Sequence, residues 1–201
     1  MSDAPAIVVH GLILAGGLSR RMGGGQKALL PLGNRPIIAR VLERLAPQVA
    51  EVAINANADG YAGFGVPVLA DTVAGFVGPL AGVLAGLNWA STQGADYLTT
   101  VAADTPFFPG DLVSRLSAQA VPGRVVMARN RDGVQPVFAL WPVTLRGALE
   151  QWLHTDGSRK VQDFAAAFGL DLCDFAAAGG AAPFFNVNRP EDLAQAEAML
   201  R

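Results

Sequence analysis

Between Ile7 and Leu14 only His10 and Gly11 interrupt an apolar run, and the chain then passes directly into a loop holding five glycines between Gly16 and Gly25. An apolar run without polar alternation is the pattern of a strand covered on both faces, so this segment demands a sheet with helices above and below it. Downstream, Pro36 suits a first helical turn. Ile37, Ile38, Val41, Leu42 and Leu45 then recur at helical spacing, with Arg40, Glu43 and Arg44 opposite them.

The alternation repeats. Glu51 to Asn55, Val66 to Leu69 and Tyr97 to Ala103 read as strands, and Leu80 to Ala90 and Asp111 to Ala118 as helices. Such alternation predicts right-handed crossovers and a Rossmann-like three-layer α/β/α fold around a mostly parallel sheet, whose ligands sit at the carboxyl ends of the strands. Beyond residue 120, Arg124 to Ala128 and Val134 to Leu140 read as two strands around the polar turn 130–133, which suits an antiparallel pair. Asn188, three residues before Glu191 and ahead of Leu193, Ala196 and Leu200, reads as the cap of a last helix. The Ala/Gly-rich stretch from Ala176 to Ala182 reads as a mobile loop. No repeat or linker divides the chain, so residues 1–201 are expected to form one domain.

Charge and cysteine content narrow the function classes. Fifteen Lys plus Arg against 17 Asp plus Glu leave a net charge of -2, which offers no broad basic field to a nucleic-acid backbone. The single cysteine, Cys173, excludes an internal disulfide and a Cys-rich zinc site and fits a reducing compartment. His10 and His154 are expected to be structural or solvent-facing. Thr72 to Ala95 carries no charge and is long enough to cross a bilayer, but Pro79, Asn88, Gln93 and five glycines make it loop plus buried helix instead. Asp3 and the lack of a basic residue before the first apolar run are unlike a secretory leader, so a cytoplasmic protein is expected.

The glycine loop fits neither of two common phosphate motifs. Lys27 lies between Gln26 and Ala28, where a Walker A loop needs Gly-Lys-Ser/Thr, and the stretch from Leu14 to Arg20 lacks the Gly-x-Gly-x-x-Gly of a dinucleotide site. Paired glycines directly after a strand nevertheless let backbone N–H groups approach an anion, and Arg20, Arg21 and Lys27 add charge where a triphosphate would lie. A solvated surface loop is the alternative. Asp104 stands at the end of an apolar strand with Pro106 just beyond it. There a carboxylate either caps a turn or serves as a hard oxygen ligand for magnesium beside substrate phosphates. Asn55 and Asn57, after another strand, and Asp71 are common turn residues. Asparagine can equally meet a base edge, and an aspartate can accept from the N1–H and N2 amine of guanine.

Leu14-Ala15-Gly16-Gly17, with Ser19, Arg21, Met22, Gly23 and Lys27 downstream, resembles the signature of nucleotidyltransferases built on the nucleotide-diphospho-sugar transferase fold. Gly78-Pro79-Leu80-Ala81-Gly82, Asp104-Thr105-Pro106 and the run from Asn186 to Leu193 narrow the resemblance to molybdenum cofactor guanylyltransferases, in the right order over nearly the whole chain. The resemblance implies that Leu14, Ala15, Gly16 and Gly17 contact the nucleotide and Lys27 its phosphates. Asn55, Asp71 and Asp104 complete the GTP site, with Asp104 holding Mg2+. Lys27, Asp104 and Arg21 are then the catalytic set, and Asn186 and Asn188 lie on the molybdopterin side, Asn186 being the better substrate contact and Asn188 the helix cap. Two positions depart from the family pattern, Gln26 where Asp is frequent and Arg189 where Thr is usual.

The implied reaction is GMP transfer from GTP to the terminal phosphate of molybdopterin. That nucleophile is already anionic near neutral pH, so no general base is required and catalysis reduces to positioning and charge neutralisation. The resemblance also implies transient contacts with cofactor-synthesis proteins and molybdoenzymes. Competing assignments are a cytidylyltransferase acting on the same pterin, a sugar-1-phosphate nucleotidyltransferase, and a non-catalytic cofactor carrier. Nucleotide preference, a sugar-phosphate panel and magnesium-dependent pyrophosphate release separate them.

Overall fold

The first apolar run becomes β1 (Val9–Leu14) in the computed structural model, which describes residues 7–16, 26–73, 78–155, 158–175 and 183–200. A small hairpin of β2 (Pro31–Leu32) and β3 (Arg35–Pro36) leads into α1 (Ile37–Leu45), β4 (Val52–Asn55), β5 (Val68–Leu69), α2 (Pro79–Thr92) and β6 (Tyr97–Ala102). Then come α3 (Leu112–Ser117), β7 (Val125–Asn130), β8 (Gly133–Pro142), α4 (Arg146–Leu153), α5 (Val161–Phe168), β9 (Leu170–Asp174) and α6 (Pro190–Ala198).

Seven strands form one sheet in the order β5-β4-β1-β6-β8-β7-β9. β1 pairs in parallel with β4 and β6, β4 with β5, and β7 with β9, while β8 is antiparallel to both its neighbours. The mostly parallel sheet expected from the alternation is therefore present, and the turn at 130–133 makes the expected antiparallel pair. From β1 the chain steps outward to β4 and β5, then returns to β1's other flank as β6. This reversal puts a topological switch point between the carboxyl ends of β1 and β6, where sheets of this kind open a ligand crevice.

Alternate residues of β1 feed opposite faces, as strand geometry requires. Val9 and Ile13 join Ile38, Val41 and Leu45 of α1 and Leu112 and Leu116 of α3. Leu12 packs instead with Leu80, Leu84 and Leu87 of α2, Leu149 of α4 and Phe164 of α5. The uncharged segment from Thr72 to Ala95 contributes α2, buried along most of its length between the sheet and α4. Gly82 and Gly86, one turn apart, let this helix press close to the sheet; a Cβ at Gly86 would stand 2.5 Å from Leu12 Cδ2 and 2.8 Å from Leu98 Cδ2. A third cluster, Leu32, Ile37, Val187 and Ala196, fastens the hairpin and α6 to the body.

Two expectations change. Only Val68–Leu69 pairs as a strand within the stretch from Val66. The last helix begins at Pro190 with Arg189 at its cap position, not Asn188, because proline suits the first helical position and moves the cap onto the residue before it. The stretch from Ala176 to Ala182 lies outside the described residues.

His10 illustrates what the closed sheet does to a polar group. It is 3% exposed, its ring centroid lies 5.0 Å from that of Trp89 on α2, and its Nδ1 has no hydrogen-bond partner among the described residues. Burial lowers its pKa from 6.5, with Glu51 pulling weakly the other way. The unfolded chain therefore binds a proton that the folded chain resists, so stability is full above the unfolded pKa and is lost as pH falls. Urea midpoints measured from about pH 7.5 to about pH 5.5 should decline for the parent protein, and His10→Phe should flatten that decline. An equally steep decline in the variant would clear His10 of the effect.

Candidate active site

Backbone rungs continue past the ends of the three central strands. Ala15 N–H donates to Asn55 O at 2.9 Å, and Ala103 N–H donates to Leu14 O at 3.1 Å. Leu14 and Ala15 are thus held between Asn55, the last residue of β4, and Ala103, just past β6. Leu14 and Ala15 are half-buried and Gly16 is exposed. Gly17 and Arg21 lie outside the described residues, as does Arg20.

Lys27 returns to this edge in a single 3-10 turn, Lys27–Leu29. Its Nζ lies 2.6 Å from Asp104 Oδ2 and donates at 2.6 Å to Asn188 Oδ1. The lysine side chain is 13% exposed and the aspartate 21%, so the pair is partly screened by water. Thr105 donates its hydroxyl to Asp104 Oδ1 at 3.1 Å, and Val187 N–H donates to the Asp104 carbonyl at 2.9 Å. The Asn-Val-Asn segment is therefore bonded directly to the residue at the end of β6. Gln26 turns the other way, its Nε2 donating to Asp59 O at 2.5 Å. It ties the start of the 3-10 turn to the β4 side, while Asp104 and Asn188 both contact the lysine head.

Asn186 and Asn188 are exposed on either side of buried Val187, the alternation of an extended segment. Phe184 leads into them at φ 71, a left-handed conformation costly for a residue with a bulky side chain. Its ring packs edge-on against Phe138 at 4.8 Å and Phe175 at 5.6 Å. Aromatic packing of this kind offsets the backbone cost and fixes where the segment starts.

A second cluster lies beside β4. Asn55, 2% exposed, spends both N–H donors of its amide, on Leu69 O at 3.0 Å and on Asp71 Oδ1 at 2.9 Å. Asn57 Nδ2 donates to Asp71 Oδ2 at 2.7 Å, and Asp71 N–H donates to Asn57 Oδ1 at 2.8 Å. Each Asp71 oxygen accepts one of these bonds and keeps a lone pair for another donor. The remaining Asn55 Oδ1 faces Gly16 and Gly82, and a Cβ at Gly82 would overlap it. Asn57 and Gly82 thus support the cluster although neither stands out alone. The Asn-x-Asn spacing was the available signal for the first and the Gly-Pro-Leu-Ala-Gly motif for the second, although the reason for glycine at 82 shows only when α2 is docked.

For a metal, the donors present are hard oxygens centred on one carboxylate. Among the described residues no group of three or more His, Cys, Asp and Glu side chains gathers, which does not suit a resident zinc centre. A partly exposed Asp104 that already touches a cation, the Lys27 ammonium, fits Mg2+, which takes one or two carboxylates and completes its shell with phosphate oxygens and water. Among the described residues no helix is long and apolar enough to cross a membrane.

The family described as the MobA-like NTP transferase domain matches residues 11–168. A molybdenum cofactor guanylyltransferase from Cereibacter sphaeroides is 50% identical over 195 residues, covering 96% of this chain and 97% of the relative. Molybdopterin-guanine dinucleotide biosynthesis protein A from Archaeoglobus fulgidus shares the fold, with a TM-score of 0.76 at 22% identity over 95% of this chain and 98% of its own. A protein of Mycobacterium tuberculosis H37Rv, solved in complex with manganese, shares it with a TM-score of 0.65 at 18% identity over 96% and 100%. With its strand-end constellation and full-length likeness taken together, this chain belongs to the MobA-like NTP transferase domain family, in company with molybdenum cofactor guanylyltransferases.

Proposed function

We propose that this enzyme transfers GMP from GTP to the terminal phosphate of molybdopterin, forming molybdopterin guanine dinucleotide and releasing pyrophosphate. The observation that carries the proposal is the Lys27 ammonium, held 2.6 Å from Asp104 across the β1/β6 switch point. A phosphate oxygen of the pterin attacks the α-phosphorus of GTP, the bond to the bridging oxygen breaks, and its electron pair leaves with pyrophosphate. The nucleophile arrives ionised, so the protein's task is to hold two anions together and neutralise the charge that builds on the leaving group.

Each group has a place in that task. Leu14, Ala15, Gly16 and Gly17 would contact the nucleotide, the Ala15 N–H itself being committed to Asn55 O, and Lys27 would face the phosphates, with Arg21 adding charge there. Asp104 would hold Mg2+, which supplies further charge neutralisation at the phosphates. Asn186 and Asn188 line the pterin side. Asn55 and Asp71 form the base end, and their chemistry favours guanine over cytosine. Their free positions are acceptors, the Asn55 Oδ1 and one lone pair on each Asp71 oxygen. Guanine offers adjacent N1–H and N2 donors to such a pair, whereas the pairing edge of cytosine offers one amino donor beside two acceptors. Cytoplasmic residence and transient contact with cofactor-synthesis and acceptor proteins belong to the same proposal.

A transfer assay with molybdopterin, Mg2+ and GTP tests it. One pyrophosphate should appear per dinucleotide formed, with little turnover on CTP or on sugar 1-phosphates; pyrophosphate release that requires a sugar phosphate would contradict the assignment. In the same assay Asp104→Asn should lower turnover by about two orders of magnitude while the protein stays folded. Near-parental turnover would remove Asp104 from the chemistry. Gly82→Ala gains helix propensity but pushes on the Asn55 amide, so the KM for GTP should rise about tenfold, as for one lost hydrogen bond. An unchanged KM would separate Asn55 from the nucleotide.

A further inference from the structure

The Lys27 ammonium has three N–H donors and no acceptor. One faces Asp104 Oδ2 and one faces Asn188 Oδ1, both at 2.6 Å, which leaves the third for an incoming anion. A lysine carries four flexible bonds, and a single contact would let its head swing out of the crevice. Two contacts from different segments aim it.

We propose that Asn188 is a positioning residue for Lys27, so that the Asn-Val-Asn segment builds the phosphate site as well as facing the second substrate. This rests on the nucleotidyl-transfer reading and adds to it a residue that acts through the lysine. Asn188 is itself firmly placed. Its own N–H and that of Arg189 both donate to Asp192 Oδ2 at 2.8 Å, and the neighbouring Val187 is buried and donates to the Asp104 carbonyl. Its charge state adds a second reason. Asp104 is a carboxylate that a divalent cation competes for, whereas a neutral amide oxygen is a weaker metal ligand and stays with the ammonium. When phosphates and metal draw on Asp104, Asn188 keeps Lys27 in register.

The test is a double-mutant cycle read by calorimetry, with inorganic pyrophosphate as the probe and four proteins: the parent, Asn188→Ala, Lys27→Met and the double variant. Asn188→Ala should weaken pyrophosphate about tenfold in the parent background, the scale of a charge-assisted hydrogen bond, and by less than about twofold once Lys27 is gone. Equal losses in both backgrounds, or no loss in either, would overturn the proposal. Pyrophosphate carries no base, so a preference for CTP over GTP in other assays would correct the nucleotide and leave this cycle readable.

A second readout needs no ligand. The chain has two lysines, Lys27 and Lys160, so the 15N ammonium signal of Lys27 can be assigned by substitution. It should be protected from fast exchange in the parent, lost in Asn188→Ala and restored in Asn188→Asp, which keeps the acceptor oxygen. A signal unaltered by Asn188→Ala would contradict the assignment even if transfer were confirmed.

Discussion

The 2.6 Å contact between Lys27 and Asp104 joins two segments that have no local reason to meet. One follows the central strand and the other ends its neighbour across the switch point, so the contact exists only if the sheet has its crossover order. As a contribution to stability it is modest, because at 13% and 21% side-chain exposure the attraction is largely offset by the cost of stripping water from both ions. Its value is arrangement. A cation and a carboxylate are held at the mouth of the crevice before any phosphate arrives, which is the form electrostatic preorganisation takes in a site without a nucleophilic side chain.

The rest of the site is built outward from that contact along backbone rungs. Ala15 and Asn55, Leu14 and Ala103, and Val187 and Asp104 are hydrogen-bonded neighbours, so the acceptor cluster beside β4, the end of β1 and the C-terminal asparagines share one edge. α2 closes that edge from one face, and the absence of a side chain at Gly82 lets it come down without displacing Asn55. Phe184, held left-handed by two neighbouring rings, anchors the other face.

Much of this was legible in the sequence because it follows from strong local patterns. The largely apolar runs gave β1 and β6 and the helical spacing gave α1, while Asn55, Asp71 and Asp104 stood after strands and were grouped into one expected site by the family resemblance. Other features depended on tertiary context. β2 and β3 are two residues each, too short for any periodicity to register, and α4, α5 and β9 lie in a region where the alternation loosens. Asn188 carried a capping signal that Pro190 overrode, which released its side chain for Lys27. Asn57 read as either a turn residue or a base contact, and its hold on both an oxygen and the N–H of Asp71 arises only when β4 and the chain after β5 lie side by side.

The central claim is that this strand edge receives a guanine nucleotide with its phosphates on the Lys27 side. Calorimetric titration of the purified protein with Mg-GTP and, in parallel, Mg-CTP tests it most directly. The acceptor cluster at Asn55 and Asp71 predicts saturable binding of GTP and at least about tenfold weaker binding of CTP. Equal affinities, or a preference for CTP, would contradict it.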